Sequence, residues 1–256
     1  SRGLGDVYKR QLQTVSVTPD DAGAGQLSIY TISFTIPAGD SLPADGIIRI
    51  TFPSGFDVST VLVAMGEDSL DGGLTVDTNG DTVYVYRDST GTQLDPNDVA
   101  TLKIANVTNR TTVGEDSAKV EILAADSSLI DSCYGYGKFS IEPGPLHHFV
   151  ISSLQDTVTA GIGLTGTVTV TAYDAYGNEK TNYSGTLHWT TSDPSPISLP
   201  ADRNVSNSST TTFNGSDFVL RTAGAQTFTV TDVATSISAT TEAVDVMPGS
   251  LSNFDL

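Results

Sequence analysis

Cysteine, tryptophan and methionine are scarce in this chain of 256 residues, which has one Cys, one Trp and two Met. Because Cys133 is the only cysteine, an intrachain disulfide is excluded. The segment around Cys133 has no nearby basic residue except Lys138, so nothing evident lowers the pKa of the thiol. We therefore interpret Cys133 as a buried or bystander thiol and not as a reactive one.

Basic residues are also few: 12 Lys and Arg stand against 30 Asp and Glu, for a net charge of −18. A surface this acidic repels the phosphates of nucleic acids and of anionic membranes, so neither is an expected partner. Acidic side chains are compatible with divalent cations, which prefer oxygen ligands, and equally with simple solubility.

Long apolar runs and helical periodicity are missing. No run approaches the roughly 20 apolar residues that a membrane-spanning helix needs, so no membrane insertion is expected of this fragment. Only Asp95 to Asp98 could open a short helical turn, with Asp95 as its cap. No HExxH, CxxC or GxSxG motif occurs, and the carboxylates are scattered over turns. The sequence therefore predicts no catalytic residues and a protein that is not an enzyme.

Short alternating segments are what the chain does contain. Residues 167–172 read TVTVTA, which is strict period two, and Ile48, Ile50 and Phe52 alternate in the same way. Asn79-Gly80 suits the two central positions of a tight hairpin. Many short strands with turn signals every 8–12 residues predict an all-β fold of sandwiches.

Alternation also selects the heart of the second core. Leu187 and Trp189 share one face of a predicted strand, and His188 faces out.

A recurring motif marks the domain boundaries. The pattern Pro-Gly-x-Leu-x-x-Phe occurs at 143–149 and again at 248–254, and 248 − 143 = 105 residues is the size of one β-sandwich. We expect domains at 12–142 and 143–247, with 248–256 as the start of a further repeat. Residues 1–11 are similar to a translated sequencing adapter, and we interpret them as a non-native leader.

Residues 143–247 resemble the bacterial immunoglobulin-like repeats of large cell-surface proteins, including the invasin and intimin type. The resemblance is carried by Leu146-x-x-Phe149, by Thr159-Ala160-Gly161 and by VTVTAYDAYGN at 168–178. Residues 12–142 are similar to a related repeat through ITFPSGF at 50–56 and IANVTN at 104–109.

The resemblance implies two tandem immunoglobulin-like β-sandwiches in a bacterial cell-surface or secreted, adhesin-like protein. It implies a structural stalk or spacer whose partners are neighbouring immunoglobulin-like domains of the same chain, with a surface glycan or protein ligand as a further option. The scarcity of cysteine in an extracellular β protein agrees with a bacterial or archaeal surface.

A different function is indicated by Tyr84 and Tyr86, which share one strand face and form the candidate ligand-binding site. Exposed aromatic pairs can stack on sugar rings, although the same pairs also cover cross-strand neighbours. The alternative is therefore a carbohydrate-binding module attached to an extracellular polysaccharide-active enzyme. Tyr134 and Tyr136 have the same spacing.

Cofactor motifs are weak, and no cofactor is expected apart from calcium as an option. The GxGxxG at 161–166 is followed by a Thr/Val segment and not by a helix, so we interpret it as a loop between strands. The acidic segments 77–81 and 174–178 could hold a cation, but both are explained as turns. His147 and His148 are adjacent on a predicted strand, so we expect them to point to opposite faces and not to share a metal.

Overall fold

The computed structural model describes residues 12–152 and 154–250, apart from the side chains of residues 13 and 134–136. Within the chain it separates two compact units, with the boundary between Glu142 and Pro143. The suspected leader, residues 1–11, and residues 251–256 of the suspected further repeat lie outside the described residues.

The described residues of the first unit form nine strands in two sheets, and all pairings between these strands are antiparallel. One sheet has the order β1-β2-β7-β4 and the other the order β5-β6-β3-β8-β9. The strands are β1 (Gln13–Pro19), β2 (Leu27–Thr35), β3 (Ile47–Thr51), β4 (Ala64–Asp68), β5 (Leu74–Asn79), β6 (Thr82–Arg87), β7 (Val99–Thr108), β8 (Gly114–Leu123) and β9 (Leu129–Ile141).

Period-two alternation gives each sheet of this unit one apolar face. Tyr30, Ile32 and Phe34 of β2 are fully buried, as are Ile48 and Ile50 of β3 in the other sheet. All five belong to one hydrophobic cluster, so the two sheets enclose a shared core. At one end of it four rings, those of Tyr30, Phe52, Phe56 and Phe139, lie with centroids 5.1 to 6.5 Å apart.

Residues 143–152 and 154–250 of the second unit form three small sheets, with orders β10-β12-β15, β11-β19-β16 and β14-β13-β17-β18. The pairing of β11 with β19 is parallel and the others are antiparallel. The strands are β10 (His148–Ser152), β11 (Thr157–Thr159), β12 (Thr167–Tyr173), β13 (Gly185–Thr191), β14 (Arg203–Val205), β15 (Thr210–Asn214), β16 (Gly224–Gln226), β17 (Phe228–Asp232), β18 (Ser238–Thr240) and β19 (Val244–Met247).

Trp189 lies at the centre of the second core, as the alternation predicted. Its indole meets the rings of Phe213 and Phe218 edge to face, at centroid distances of 5.4 and 4.9 Å. Leu187 is buried on the same side of β13, and His188 between them is exposed. Edge-to-face aromatic contacts of this kind add about 0.5–1.5 kcal/mol each beyond the burial of area.

The all-β fold class is confirmed, but two local expectations are corrected. The hairpin of β5 and β6 turns at Gly80-Asp81, one residue later than predicted. Asn79 still pairs with Thr82, and of the residues at this turn only Gly80 has positive φ, at 58°. Asp95 does not cap a helix: the peptide N–H of Asp98 donates to the carbonyl of Asp95 in a turn. Among the described residues the only helix is a 3-10 turn at Gly215–Asp217.

Candidate functional site

The joint between the two units is one residue long. Glu142 is bound into the first unit, since its N–H donates to the Ala22 carbonyl and its carbonyl accepts from the Ala24 N–H, both at 2.8 Å. Gly144 is bound into the second unit: its N–H donates to Asp174 Oδ2 at 3.0 Å, and its carbonyl accepts from Lys180 Nζ at 2.8 Å. Only Pro143, whose φ is restricted by its ring, stands between these two anchored residues.

Asp174 organises the loop that holds the joint. Its Oδ1 accepts from the N–H groups of Tyr176 and Asn178, both at 2.9 Å, and its Oδ2 accepts from Gly144 and from Asn178 Nδ2. The turn closes through Gly177, which has a φ of 83°. Because protein donors occupy both carboxylate oxygens, the acidic segment 174–178 acts here as an anchor for the chain.

Burial and hydrogen bonding act in opposite directions on the pKa of Asp174. Complete burial raises the pKa, but the bonds from Asn178, Gly144 and Tyr176 outweigh burial and hold the pKa below its ordinary value. The carboxylate therefore stays ionised at neutral pH. Sequence reasoning noticed the turn but not its bond to Gly144. The only signal for that bond was the recurrence of the Pro-Gly pair.

Two further carboxylates of the second unit are buried in the same manner. Asp193 accepts from the N–H groups of Ser195, Arg221 and Thr222 and from the Thr222 hydroxyl, at 2.7 to 3.0 Å. Burial opposes ionisation, but these four bonds prevail and lower the pKa of Asp193 to about 2. The sequence showed no sign of this bond between loops.

Asp232 is the third of these carboxylates and accepts through both oxygens. Its Oδ2 takes a bond of 3.0 Å from the buried Tyr183 hydroxyl, and its Oδ1 accepts from the Ala234 N–H at 2.8 Å. Burial and the neighbouring Asp232 raise the pKa of Tyr183, which therefore remains a donor at any physiological pH.

Tyr84 and Tyr86 lie together on the outer face of the five-stranded sheet. Their rings are stacked with centroids 6.4 Å apart and an interplanar angle of 21°. Both side chains are half-buried. The register places Ile47 opposite Tyr86, and Ile47 is only 3% exposed although it lies on this outer face. Tyr86 thus covers an apolar cross-strand neighbour. The stacked tyrosine pair still presents part of its ring surface to solvent.

Charged groups continue the row from Tyr84 across the sheet. Arg49 is the cross-strand partner of Tyr84, and Glu121 is the next partner beyond Arg49. Arg49 Nε lies 2.6 Å from Glu121 Oε2, and Lys119 Nζ lies 2.7 Å from Glu121 Oε1. Burial raises the pKa of Glu121, but the two cations outweigh it and the net pKa is lowered. A ring platform beside an ordered ion pair is therefore available at the surface.

The side chains of Tyr134 and Tyr136 are outside the described part of the chain, so the second tyrosine pair stays a prediction. Cys133 is completely buried in the first core, as expected. The glycine-rich segment 161–166 connects β11 to β12 with no helix, which agrees with its interpretation as a loop.

The expectation for His147 and His148 was wrong. Their Nδ1 atoms are 3.2 Å apart, so the two rings approach each other and do not point to opposite faces. The reason is that β10 begins at His148. His147 precedes the strand, so strand alternation does not apply to it.

Among the described residues, no helix has the length and the apolar character that a membrane span requires. Nowhere among them do three or more His, Cys, Asp and Glu side chains gather as potential ligands of one metal ion.

No protein-family model matches the chain, and no curated protein sequence matches it. Among solved structures, the chain is similar to domains D2 and D3 of the major pilin SpaD from Corynebacterium diphtheriae. The identity is 13%, coverage is 91% of this chain and 89% of that chain, and the TM-score is 0.36.

Two other solved structures are similar at the same level. The Escherichia coli adhesin FdeC matches at 15% identity over 94% of this chain and 65% of its own, with a TM-score of 0.42. The C-terminal domain of the Streptococcus pyogenes antigen I/II-family protein AspA matches at 10% identity over 91% and 99%, with a TM-score of 0.41. Identities and scores this low assign no function to the chain.

Proposed function

We propose that this chain is a structural stalk or spacer segment of a bacterial cell-surface or secreted adhesin-like protein. The observation that carries the proposal is the joint of one proline. Glu142 is anchored in the unit before it and Gly144 in the unit after it. The pilin and adhesin matches belong to the same broad class, but at their distance the proposal depends on the joint alone.

A spacer must transmit position from one domain to the next, and a short joint serves this purpose. Each linker residue adds two soft backbone torsions, and proline fixes one of its own two. Flexible glycine-serine linkers instead let domains reorient freely. Gly144 is held at both its N–H and its carbonyl, so the backbone on the second-unit side of Pro143 is fixed.

Electron paramagnetic resonance can measure this freedom as the width of a distance distribution. Spin labels would be placed on cysteines at the exposed positions Ser54 and Ala243, one in each unit. Cys133 can remain, because its burial protects it from the label. We expect a narrow distribution in the unmodified chain and a clearly broader one after Gly-Ser-Gly-Ser is inserted between Glu142 and Pro143.

The matched control inserts the same four residues into the exposed hairpin turn after Gly80, which should leave the width unchanged. A distribution in the unmodified chain as broad as that of the joint insertion would contradict the spacer proposal, because the natural joint would then restrict nothing.

A carbohydrate-binding module is a second candidate, and the stacked Tyr84–Tyr86 pair is the observation that favours it. Sugar rings stack on aromatic faces while their hydroxyls bond to charged groups, and Arg49 is the cross-strand partner of Tyr84. A glycan array of the unmodified protein and of Tyr84→Ala tests this function. Tyr176→Ala in the other unit, where Tyr176 is exposed, is the matched control.

Binding that Tyr84→Ala removes and Tyr176→Ala keeps would support the sugar-binding function. If the unmodified protein binds no glycan on the array, the sugar-binding function is excluded. The spacer proposal is not affected by that result.

A further inference from the structure

Among the described residues, one pair of imidazole rings is in contact. It lies at the start of the second unit. His147 Nδ1 and His148 Nδ1 are 3.2 Å apart, with the ring planes at 87° to each other. Imidazole nitrogen is a common ligand of divalent transition metals in proteins. We propose that His147 and His148 form a two-ligand binding site for a borderline divalent ion, Zn²⁺, Ni²⁺ or Cu²⁺.

The spacing of the nitrogens is the first argument. Zinc–nitrogen bonds are about 2.0–2.1 Å long. Two such bonds to nitrogens 3.2 Å apart enclose an angle of about 100° at the metal. That angle lies between the right angle of square-planar or octahedral coordination and the tetrahedral angle. The pair can thus reach one ion without a change in the separation of its nitrogens.

Tyr173 holds both histidines, which is the second argument. The His148 ring stacks on the Tyr173 ring at a centroid distance of 5.4 Å and an interplanar angle of 15°. The N–H of His147 donates to the Tyr173 carbonyl at 2.8 Å. On either side of the pair, Phe149 is buried in the core and Leu146 packs against it. The His148 ring and the His147 backbone are therefore fixed before an ion arrives, which reduces the entropy lost on binding.

The contact between the two rings is compatible with metal binding. Without metal, the 3.2 Å separation fits a bond in which the Nδ1–H of one ring donates to the Nδ1 of the other, since two bare lone pairs would repel each other. When an ion binds, the donor ring carries its proton on Nε2 instead, so both Nδ1 lone pairs face the metal and no proton need leave the protein. The ion keeps positions for water or for a donor from another molecule.

The chain as a whole favours a cation, with a net charge of −18. The many carboxylates also bind cations weakly, so an experiment must distinguish binding by the imidazoles from this background. The chain makes this possible, because His188 is its only other histidine and forms a separate exposed pair with Asp202.

The test is a titration of the full chain with zinc chloride near neutral pH, followed through the ¹⁵N signals of the imidazoles. We expect the Nδ1 signals of His147 and His148 to shift together and to saturate, while those of His188 change little. Nickel affinity would be measured in parallel by calorimetry. His147→Ala and His148→Ala should each weaken it by about tenfold or more, and His188→Ala should not change it.

Tyr173 is a positioning residue in this proposal, and two variants separate its role from general folding. Tyr173→Phe keeps the stacked ring and should keep the affinity, whereas Tyr173→Ala should lose about tenfold. The proposal is overturned if the His147→Ala/His148→Ala double variant binds nickel as tightly as the unmodified chain. It is also overturned if zinc moves the His188 signals first.

Discussion

In the first unit 29 of the described residues form one buried hydrophobic cluster, whereas the cluster in the second unit contains 16. The second unit has three buried aspartates, Asp174, Asp193 and Asp232, each of which accepts hydrogen bonds from loops. A smaller core removes less apolar area from water, and these carboxylates add fixed polar bonds between the loops around it.

One buried polar network of the first unit is neutral. Tyr30 donates to Asn109 Oδ1 at 2.6 Å, and the Asn109 amide donates to the carbonyls of Asp21 and Gly23, so this network carries no charge. The comparison teaches that similar sandwiches can connect loops to the core through neutral amides or through ionised carboxylates. Only carboxylates make the connection depend on pH.

The largest expected effect comes from the core of the second unit. Trp189→Ala should lower the free energy of unfolding of this unit by about 3–5 kcal/mol, because a large cavity would replace the indole between Phe213 and Phe218. Calorimetry should show the transition of the second unit moving to a much lower temperature. Phe52→Ala is the counterpart in the first unit and should move only the other transition. One common transition that shifts equally in both variants would contradict separate cores.

A matched pair of hydroxyl deletions should give a smaller effect. Tyr183→Phe removes a bond to the buried Asp232 carboxylate and should cost about 2–3 kcal/mol, since bonds to charged groups contribute more. Tyr30→Phe removes a bond to a neutral amide and should cost about 1 kcal/mol. Urea unfolding of both variants measures the difference. Equal costs would mean that the contrast between charged and neutral networks has no energetic consequence.

The smallest effect is the pH dependence of single carboxylates. Asp193 has a folded pKa of about 2, below its ordinary value, so its contribution is complete above about pH 4 and is lost as the pH falls towards 2. The stability advantage of the unmodified chain over Asp193→Asn should therefore shrink as the solution is acidified.

Asp116 in the first unit should show the opposite dependence of stability on pH. Burial raises its pKa in spite of the ion pair with Arg110 at 2.8 Å, so protonation favours the folded state. The stability of the unmodified chain relative to Asp116→Asn should become less favourable as the pH rises through the folded pKa. Chemical unfolding of both variants from acid to neutral pH would measure the two slopes. Slopes of the same sign would refute these assignments.

Sequence patterns predicted the parts of the fold that depend on neighbouring residues. The alternation around Trp189 and Leu187 located the second core, and the lack of a helix after residues 161–166 excluded a dinucleotide loop. The sequence patterns predicted wrongly where the boundary of a turn or a strand lay one residue away from the expected position. The hairpin turned at Gly80-Asp81, and β10 began after His147, which put the two imidazoles side by side.

What the sequence by itself determined is the all-β class and the inward faces of its strands, because period two and composition act over a few residues. Only the tertiary structure decided that Asp174 and Lys180 hold Gly144, 30 and 36 positions away, or that Arg49 meets Glu121. Such bonds join groups far apart in the chain. Their partners are selected by how sheets and loops pack, which no local pattern encodes.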